Sequence, residues 1–141
     1  MGSVLCGPRA LIQEARRLRK MLGGGVRQGG VVAAAGLVAL DYLPRLPEDH
    51  AKAKHLAQGL QGFGLNVAAP ETNIVLVPVV DTATALKLME EAAVRVLPVG
   101  SALRFIAHRD LTMADIHEAL QRIEPLVERM LITWEGNRPM S

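Results

Sequence analysis

The sequence predicts an α+β domain in which helices cover one face of a small antiparallel sheet. From about Asp49 onward, hydrophobic spacing and breaker residues indicate the order helix, strand, helix, strand, strand, helix. That order is typical of helices segregated to one face of an antiparallel sheet. Half of the 141 residues are hydrophobic and 3% are aromatic. We therefore expect one core built from Leu, Val, Ile, Ala and Met side chains.

Two helices are predicted before this domain. Residues 1–7 form an apolar run typical of a buried β-strand, with Cys6 a buried thiol, and Pro8 then begins the first helix. Its apolar positions recur at helical spacing: Leu11, Ile12, Ala15, Leu18 and Leu22. The second helix, roughly 29–40, is apolar on every side. Because such a helix must be buried all round, we expect a large partner: a missing domain, a second subunit, or both.

The α+β domain opens with a helix at Pro47 that has acids in its first turn. Its apolar positions Ala51, Leu56 and Leu60 alternate with the polar residues Lys52, Lys54 and His55. This pattern predicts a half-exposed amphipathic helix. The first strand is predicted at 73–80, and Pro78 indicates that it ends there or lies at a sheet edge.

The remaining elements are predicted from caps and short apolar runs. Thr82 or Thr84 is expected to cap a helix that runs to Ala93, and strands follow at about 94–99 and 102–108. A last helix begins from the capping pattern 112–115 and should kink at Pro125. The predicted organisation is 1–46 for the leading segment, 47–135 for the α+β domain and 136–141 for a frayed tail.

Composition excludes several classes of protein. The formal net charge is +2 and no aromatic residues interleave with the basic run, so a nucleic-acid partner is not expected. The longest apolar stretch, 31–40, is about half the length of a bilayer span, and no secretory pattern opens the chain. A single cysteine suits a reducing compartment. We expect a cytoplasmic protein that does not enter a membrane, with a mitochondrial location left open.

The most basic and glycine-rich stretch, 16–30, joins the first two helices and is the first candidate site. Its cations are Arg16, Arg17, Arg19, Lys20 and Arg27. Three consecutive glycines allow positive φ and close approach of an anion, and the helix that follows presents free N–H groups. Lys20 and Arg27 are therefore candidate phosphate ligands. Two structural alternatives stay open: the glycines act as a hinge, and Lys20 complements the dipole of its own helix.

A second candidate anion site is Arg104, which lies in the apolar strand Leu103–His108. Burying an arginine without a partner is costly, so we expect either a ligand carboxylate or a structural ion pair beside it. Other chemistry is less well supported. His50 and His55 are five positions apart rather than four, so no metal site is predicted, and no motif activates a serine or Cys6 as a nucleophile.

Five segments resemble, in this order, the C-terminal part of an L-threonine aldolase: 2–7, 19–21 with 23–28, 33–37, 45–46 with 48–50, and 103–105 with His108. The resemblance implies the α/β fold of pyridoxal-phosphate-dependent transferases, of which this chain would be the α+β C-terminal domain, the last strand of the large domain and the helices that follow. It also implies cleavage of L-threonine and L-allo-threonine to glycine and acetaldehyde.

The resemblance assigns roles to three residues. Lys20 and Arg27 would reach the phosphate of pyridoxal phosphate bound by a neighbouring subunit, and Arg104 would bind the α-carboxylate of a small amino-acid substrate. The expected partner is a further copy of the chain, since the family forms tetramers, or a full-length relative.

One feature of that family has no counterpart among these residues. The Schiff-base lysine of the family stands in a Ser-Lys-Gly-Leu-Gly segment a few residues before the position of Gly2. No lysine of this chain occupies the matching position, so no catalytic residue is assigned and the chain alone is expected to be inactive. The alternative is a non-catalytic remnant that pairs with a full-length relative or with itself, and a weaker one is an anion-binding or nucleic-acid protein.

Overall fold

Two units make up the chain, with the boundary between Pro44 and Arg45. The computed structural model describes residues 4–130. The frayed tail predicted at 136–141 therefore lies outside the described residues, and the boundaries 1–46 and 47–135 stay predictions. Within 4–130 no single helix has the length and apolar composition needed to cross a bilayer; 29–40 and 43–62 meet those criteria only when taken together.

The first unit contains two helices, α1 (Arg9–Met21) and α2 (Gly29–Leu40), both where the sequence predicted them. The strand prediction is wrong for its described part, because residues 4–7 have no regular structure. A strand is stabilised by hydrogen bonds to a neighbouring strand, and the described residues of this unit contain none. Cys6 is accordingly exposed rather than buried.

Glycines end α1 in a Schellman motif. Gly23 has φ +77°, and its N–H donates to the Lys20 carbonyl over 3.1 Å, while the N–H of Gly24 donates to the Arg19 carbonyl over 2.8 Å. A Cβ at Gly24 would lie 2.8 Å from Arg19 Cγ and 3.0 Å from its carbonyl oxygen. Of the three consecutive glycines only Gly23 needs positive φ, and Gly24 is required for space.

The second unit has the element order predicted from the sequence. Its elements are α3 (Leu46–Gly62), β1 (Ile74–Pro78), α4 (Thr82–Glu91), β2 (Leu97–Val99), β3 (Ala102–Ile106) and α5 (Met113–Ile123). The three strands are antiparallel in the order β1-β3-β2. Pro78 is the last residue of an edge strand, as predicted. A 3₁₀ turn at Glu124–Leu126 interrupts the helix at Pro125, where the sequence predicted a kink.

One face of the sheet forms the core. Val75 pairs with Phe105, and Val77 pairs with Leu103; all four side chains are buried in one cluster. The cluster also contains residues of the three helices, among them Leu60, Leu88, Met89, Ile116 and Ile123. The opposite face carries Leu76, Arg104 and Leu97, which are aligned across the three strands.

The caps of α4 and α5 differ in how well the sequence predicted them. Asp81, not Thr82 or Thr84, caps α4, because its carboxylate accepts from the N–H groups of Ala83 and Thr84. Hydrogen bonds from Thr84 lower the pKa of Asp81. Thr112 caps α5 as predicted, and hydrogen bonds from Thr112 lower the pKa of Asp115. The stability that the carboxylates of Asp81 and Asp115 contribute to these caps is therefore present above the usual Asp pKa and is lost as the pH falls through the lowered pKa, whereas the Thr112 hydroxyl still accepts from the Asp115 N–H.

The buried side of α3 corrects the assignment made from the sequence. Ala51 is exposed, whereas Lys52 and Asp49 are buried. The side that faces the core comprises Asp49, Lys52, Ala53, Leu56, Ala57 and Leu60. Lys52 can be buried because its ammonium donates to Asp49 Oδ1 over 2.9 Å and to the His108 carbonyl over 3.3 Å.

Gly59 on α3 packs closely against Leu120 on α5. A Cβ at Gly59 would lie 2.5 Å from Leu120 Cδ1 and 3.1 Å from Leu120 Cγ, and Leu120 is buried. We expect Gly59→Ala to lower the free energy of unfolding, because overpacking costs about 1–3 kcal/mol and exceeds the gain in helix propensity of at most about 1 kcal/mol.

Urea unfolding of Gly59→Ala and of a control variant would measure this effect. The matched control is Gly62→Ala in the same helix, where an added Cβ meets nothing within 4 Å. It should be neutral or stabilising by up to about 1 kcal/mol. Equal stabilities for the two variants would contradict close packing at Gly59.

Candidate functional site

Each unit contains one candidate anion-binding group. In the first unit, Lys20 and Arg27 are exposed, and neither forms a hydrogen bond or an ion pair among residues 4–130. Arg17 differs, since its guanidinium is paired with Glu14, which lowers the pKa of that carboxyl. Of these three cations, Lys20 and Arg27 are the two left available to an external anion.

The loop that follows α1 places Lys20 beside the glycines. Lys20 Nζ lies 3.6 Å from the position of a Cβ on Gly25, two residues before Arg27. Lys20 and Arg19 also lie in the last turn of α1. The positive charge of Lys20 there complements the dipole of the helix, which is the structural alternative that the sequence left open. The Schellman motif similarly gives Gly23 and Gly24 a structural role.

The start of α2 adds hydrogen-bond donors next to Arg27. Gln28 is the N-cap residue and its side chain makes no capping hydrogen bond. A Cβ at Gly29 or Gly30 would meet no atom of the described residues within 4 Å, so these residues leave the first turn open. Free N–H groups at the positive end of a helix, together with an arginine, form an environment suited to phosphate.

Arg104 is the candidate group of the second unit. It lies at the centre of β3, paired in register with Leu76 on β1 and Leu97 on β2. Its Nε atom is buried and has no hydrogen-bond partner among residues 4–130. No carboxylate forms an ion pair with Arg104 within the described part of the chain, so the structural ion pair that the sequence left open is not formed there.

The orphaned Nε of Arg104 offers a hydrogen-bond donor to a ligand. Leaving a buried donor unsatisfied costs about 1–3 kcal/mol, and a planar guanidinium matches a carboxylate in a bidentate arrangement. The flanking Leu76 and Leu97 are 48% and 56% exposed, so the open face of the sheet can admit a small molecule. Arg104 is therefore suited to bind a ligand carboxylate.

The structure also shows pairs that reasoning from the sequence missed. Asp49 and Lys52 are three positions apart, and this spacing on a helix is a signal that could have identified the pair. His55 and His117 contact each other from α3 and α5, and nothing in the sequence spacing indicates that contact. Among the described residues no group of three or more His, Cys, Asp and Glu could hold a metal ion.

Comparison with known proteins decides the family. A sequence model of the β-eliminating lyase family matches residues 1–82, more than half of the chain. The chain belongs to the β-eliminating lyase family. Members of this family depend on pyridoxal phosphate.

Individual relatives confirm the resemblance to L-threonine aldolases. The chain is 43% identical to low-specificity L-threonine aldolase 1 of Arabidopsis thaliana over 98% of its length. It is 38% identical to the low specificity L-threonine aldolase of Escherichia coli (strain K12) over 84% of its length. The chain spans 40% and 36% of the length of these two curated relatives.

The groups described above are suited to pyridoxal phosphate, the cofactor of the β-eliminating lyase family. Lys20, Arg27 and the uncapped start of α2 provide cations and N–H donors that a phosphate requires. Arg104, with its unpartnered Nε, provides the donor that an amino-acid carboxylate requires. The residues present in this chain therefore fit the phosphate end of the cofactor and the carboxylate end of an amino-acid substrate.

Proposed function

We propose that this chain is the part of a pyridoxal-phosphate-dependent L-threonine aldolase that binds the cofactor phosphate and the substrate carboxylate. The complete enzyme would cleave L-threonine and L-allo-threonine to glycine and acetaldehyde. The observation that carries the proposal is the buried, unpartnered Nε of Arg104, at the position where the resemblance to threonine aldolases expects a carboxylate ligand.

The cofactor, when bound, supplies an electron sink that weakens the bonds to the substrate Cα. The residues of this chain bind and orient the substrate and the cofactor. Arg104 holds the α-carboxylate in a bidentate arrangement, which limits rotation of the substrate and keeps the Cα–Cβ bond in one orientation. Lys20 and Arg27 hold the phosphate through charge-assisted hydrogen bonds. No residue of this chain is assigned to proton transfer.

The proposed partner is a second copy of the chain. The helix α2 has no buried residue, and its exposed side chains include Val31, Leu37, Val38 and Leu40. A monomer rarely exposes an apolar patch larger than about 300–600 Å2, so a neighbouring subunit covering α2 would remove an unfavourable surface. The same surface supports the alternative of a non-catalytic protein that pairs with a full-length relative.

Acetaldehyde release from L-threonine tests this function. We expect the 141-residue chain alone to release none, because it spans 40% of the Arabidopsis relative and no catalytic lysine is assigned within it. A chimaera that joins the chain to the segment of that relative which the chain does not cover should be active. A chimaera that folds and binds pyridoxal phosphate but does not cleave threonine would favour the non-catalytic alternative.

The role of Arg27 can be tested by mixing subunits of the chimaera. One variant carries Arg27→Ala, and the other lacks the lysine that the relative's segment supplies. If Arg27 serves the neighbouring subunit, half of the dimers are mixed and each has one intact site, so mixing should restore up to about a quarter of full activity. Loss of this phosphate contact should cost about 1.5–3 kcal/mol in cofactor binding.

The outcome distinguishes the two possible arrangements. If Arg27 serves its own subunit, every site in the mixed dimer lacks one group and mixing restores nothing. A mixture of Arg16→Ala with the lysine-deficient variant is a control for general effects of removing a cation from this basic stretch.

A further inference from the structure

Two histidines from different helices contact each other in the second unit. The ring centroids of His55 on α3 and His117 on α5 are 4.5 Å apart, and the ring planes meet at 71°. His55 is half-buried and His117 is exposed. Neither has a role in the proposed function, so the pair requires its own explanation.

The backbone around the pair is held in place by packing. Leu56 follows His55, and Ile116 precedes His117; both are buried in the core. One turn further along each helix, Gly59 lies against Leu120. The capping box at the start of α5 fixes the helix that carries His117. The backbone positions that carry the two rings are therefore fixed, and rotation about the side-chain torsions is the main freedom left to the rings.

We propose that His55 and His117 form a two-ligand site for a divalent transition-metal ion, with zinc or copper as the best-suited ions. Neutral imidazole is the commonest protein ligand for these metals. A metal with bonds of about 2.1 Å holds two nitrogens about 3.4 Å apart in tetrahedral geometry. Rings whose centroids are 4.5 Å apart can reach that separation by rotation.

The proposed site holds its metal with two protein ligands and water. Among the described residues no third His, Cys, Asp or Glu joins the pair, so water occupies the remaining coordination positions. The ion would connect α3 to α5 and stabilise the folded state by binding it in preference to the unfolded chain. Hard cations such as magnesium prefer oxygen ligands and should not bind there.

Zinc binding to the chain, purified without a polyhistidine tag, tests this proposal. Calorimetric titration with zinc chloride should show one ion per chain, and the melting temperature should rise with zinc but not with magnesium. His117→Phe keeps a ring at the contact but has no ligand nitrogen. We expect it to lower the zinc affinity at least tenfold, since removing even an outer-shell partner of a metal ligand costs about that much.

Control variants decide whether the pair is the site. His50→Ala and His108→Ala remove histidines outside the pair and should leave the zinc affinity unchanged. In NMR spectra, zinc should shift the ring signals of His55 and His117 together. If His117→Phe does not unfold cooperatively, His55→Gln replaces it.

Three results would overturn the proposal. These are the absence of stoichiometric zinc binding, an unchanged affinity in His117→Phe, and an equal loss in His50→Ala or His108→Ala. Any of them would show that the ring contact is only an aromatic edge-to-face interaction.

Discussion

Replacing Arg104 by Gln in the active chimaera is expected to lower kcat/KM for L-threonine by about 30-fold to several thousand-fold. Truncating one partner of a buried, hydrogen-bonded charge pair costs about 2–5 kcal/mol, and each 1.36 kcal/mol is tenfold in rate. The loss follows from the position of the guanidinium, whose buried Nε has no partner within the described chain. Steady-state kinetics with L-threonine would measure it.

Two controls separate this effect from a change in fold. Arg95→Gln removes an exposed arginine and should leave kcat/KM within about twofold, because substitutions of exposed residues usually have small effects. In the 141-residue chain, Arg104→Met should leave the free energy of unfolding unchanged or raise it by about 1 kcal/mol, because an unsatisfied buried donor is removed. A loss of about 3–5 kcal/mol would instead show that Arg104 is part of a structural ion pair.

Replacing Asp49 by Ala is expected to lower the free energy of unfolding by about 3–5 kcal/mol, the cost of breaking a buried pair by removing one partner. Lys52 is 8% exposed, and without Asp49 its ammonium would keep only the His108 carbonyl as an acceptor within the described part of the chain. A domain of this size has about 5–15 kcal/mol of stability, so the variant would be close to unfolding. Urea unfolding at neutral pH measures the change.

The same helix offers a matched control. Glu48 and Arg45 form an ion pair over 3.4 Å, with both side chains more than half exposed. Glu48→Ala should cost at most about 1 kcal/mol, because exposed pairs are screened by water. The double variant Asp49→Leu with Lys52→Met should recover most of the stability by replacing the buried pair with apolar packing. Equal costs for Asp49→Ala and Glu48→Ala would show that burial does not strengthen the pair.

Local signals in the sequence were sufficient to predict most elements. The helices α1 and α2 follow from Pro8 and from continuous apolar spacing, and both lie where they were predicted. Thr112 with Asp115 specifies the start of α5 through a capping box that involves only neighbouring residues. Pro78 cannot donate a backbone hydrogen bond, so it ends an edge strand. In each case the determining interaction spans a few residues of chain.

The candidate site was predicted in part. Basic and apolar patterns, with the resemblance to threonine aldolases, were enough to select Lys20, Arg27 and Arg104. Whether each cation already has a partner could not be predicted, because ion pairs depend on groups distant in sequence. The structure shows an unpartnered Nε at Arg104. The roles of these three residues toward cofactor and substrate stay proposals for the experiments above.

Only the tertiary structure decided which way α3 faces. The sequence placed Lys52 on the exposed side, since a lysine is rarely buried unless it is paired. Its burial depends on Asp49 and on the carbonyl of His108, two residues after β3. The contact of Lys52 with His108 joins residues far apart in the chain. The contact of His55 with His117 arises in the same way. Sequence periodicity determines where a helix forms, but its rotation depends on the partners that packing brings to it.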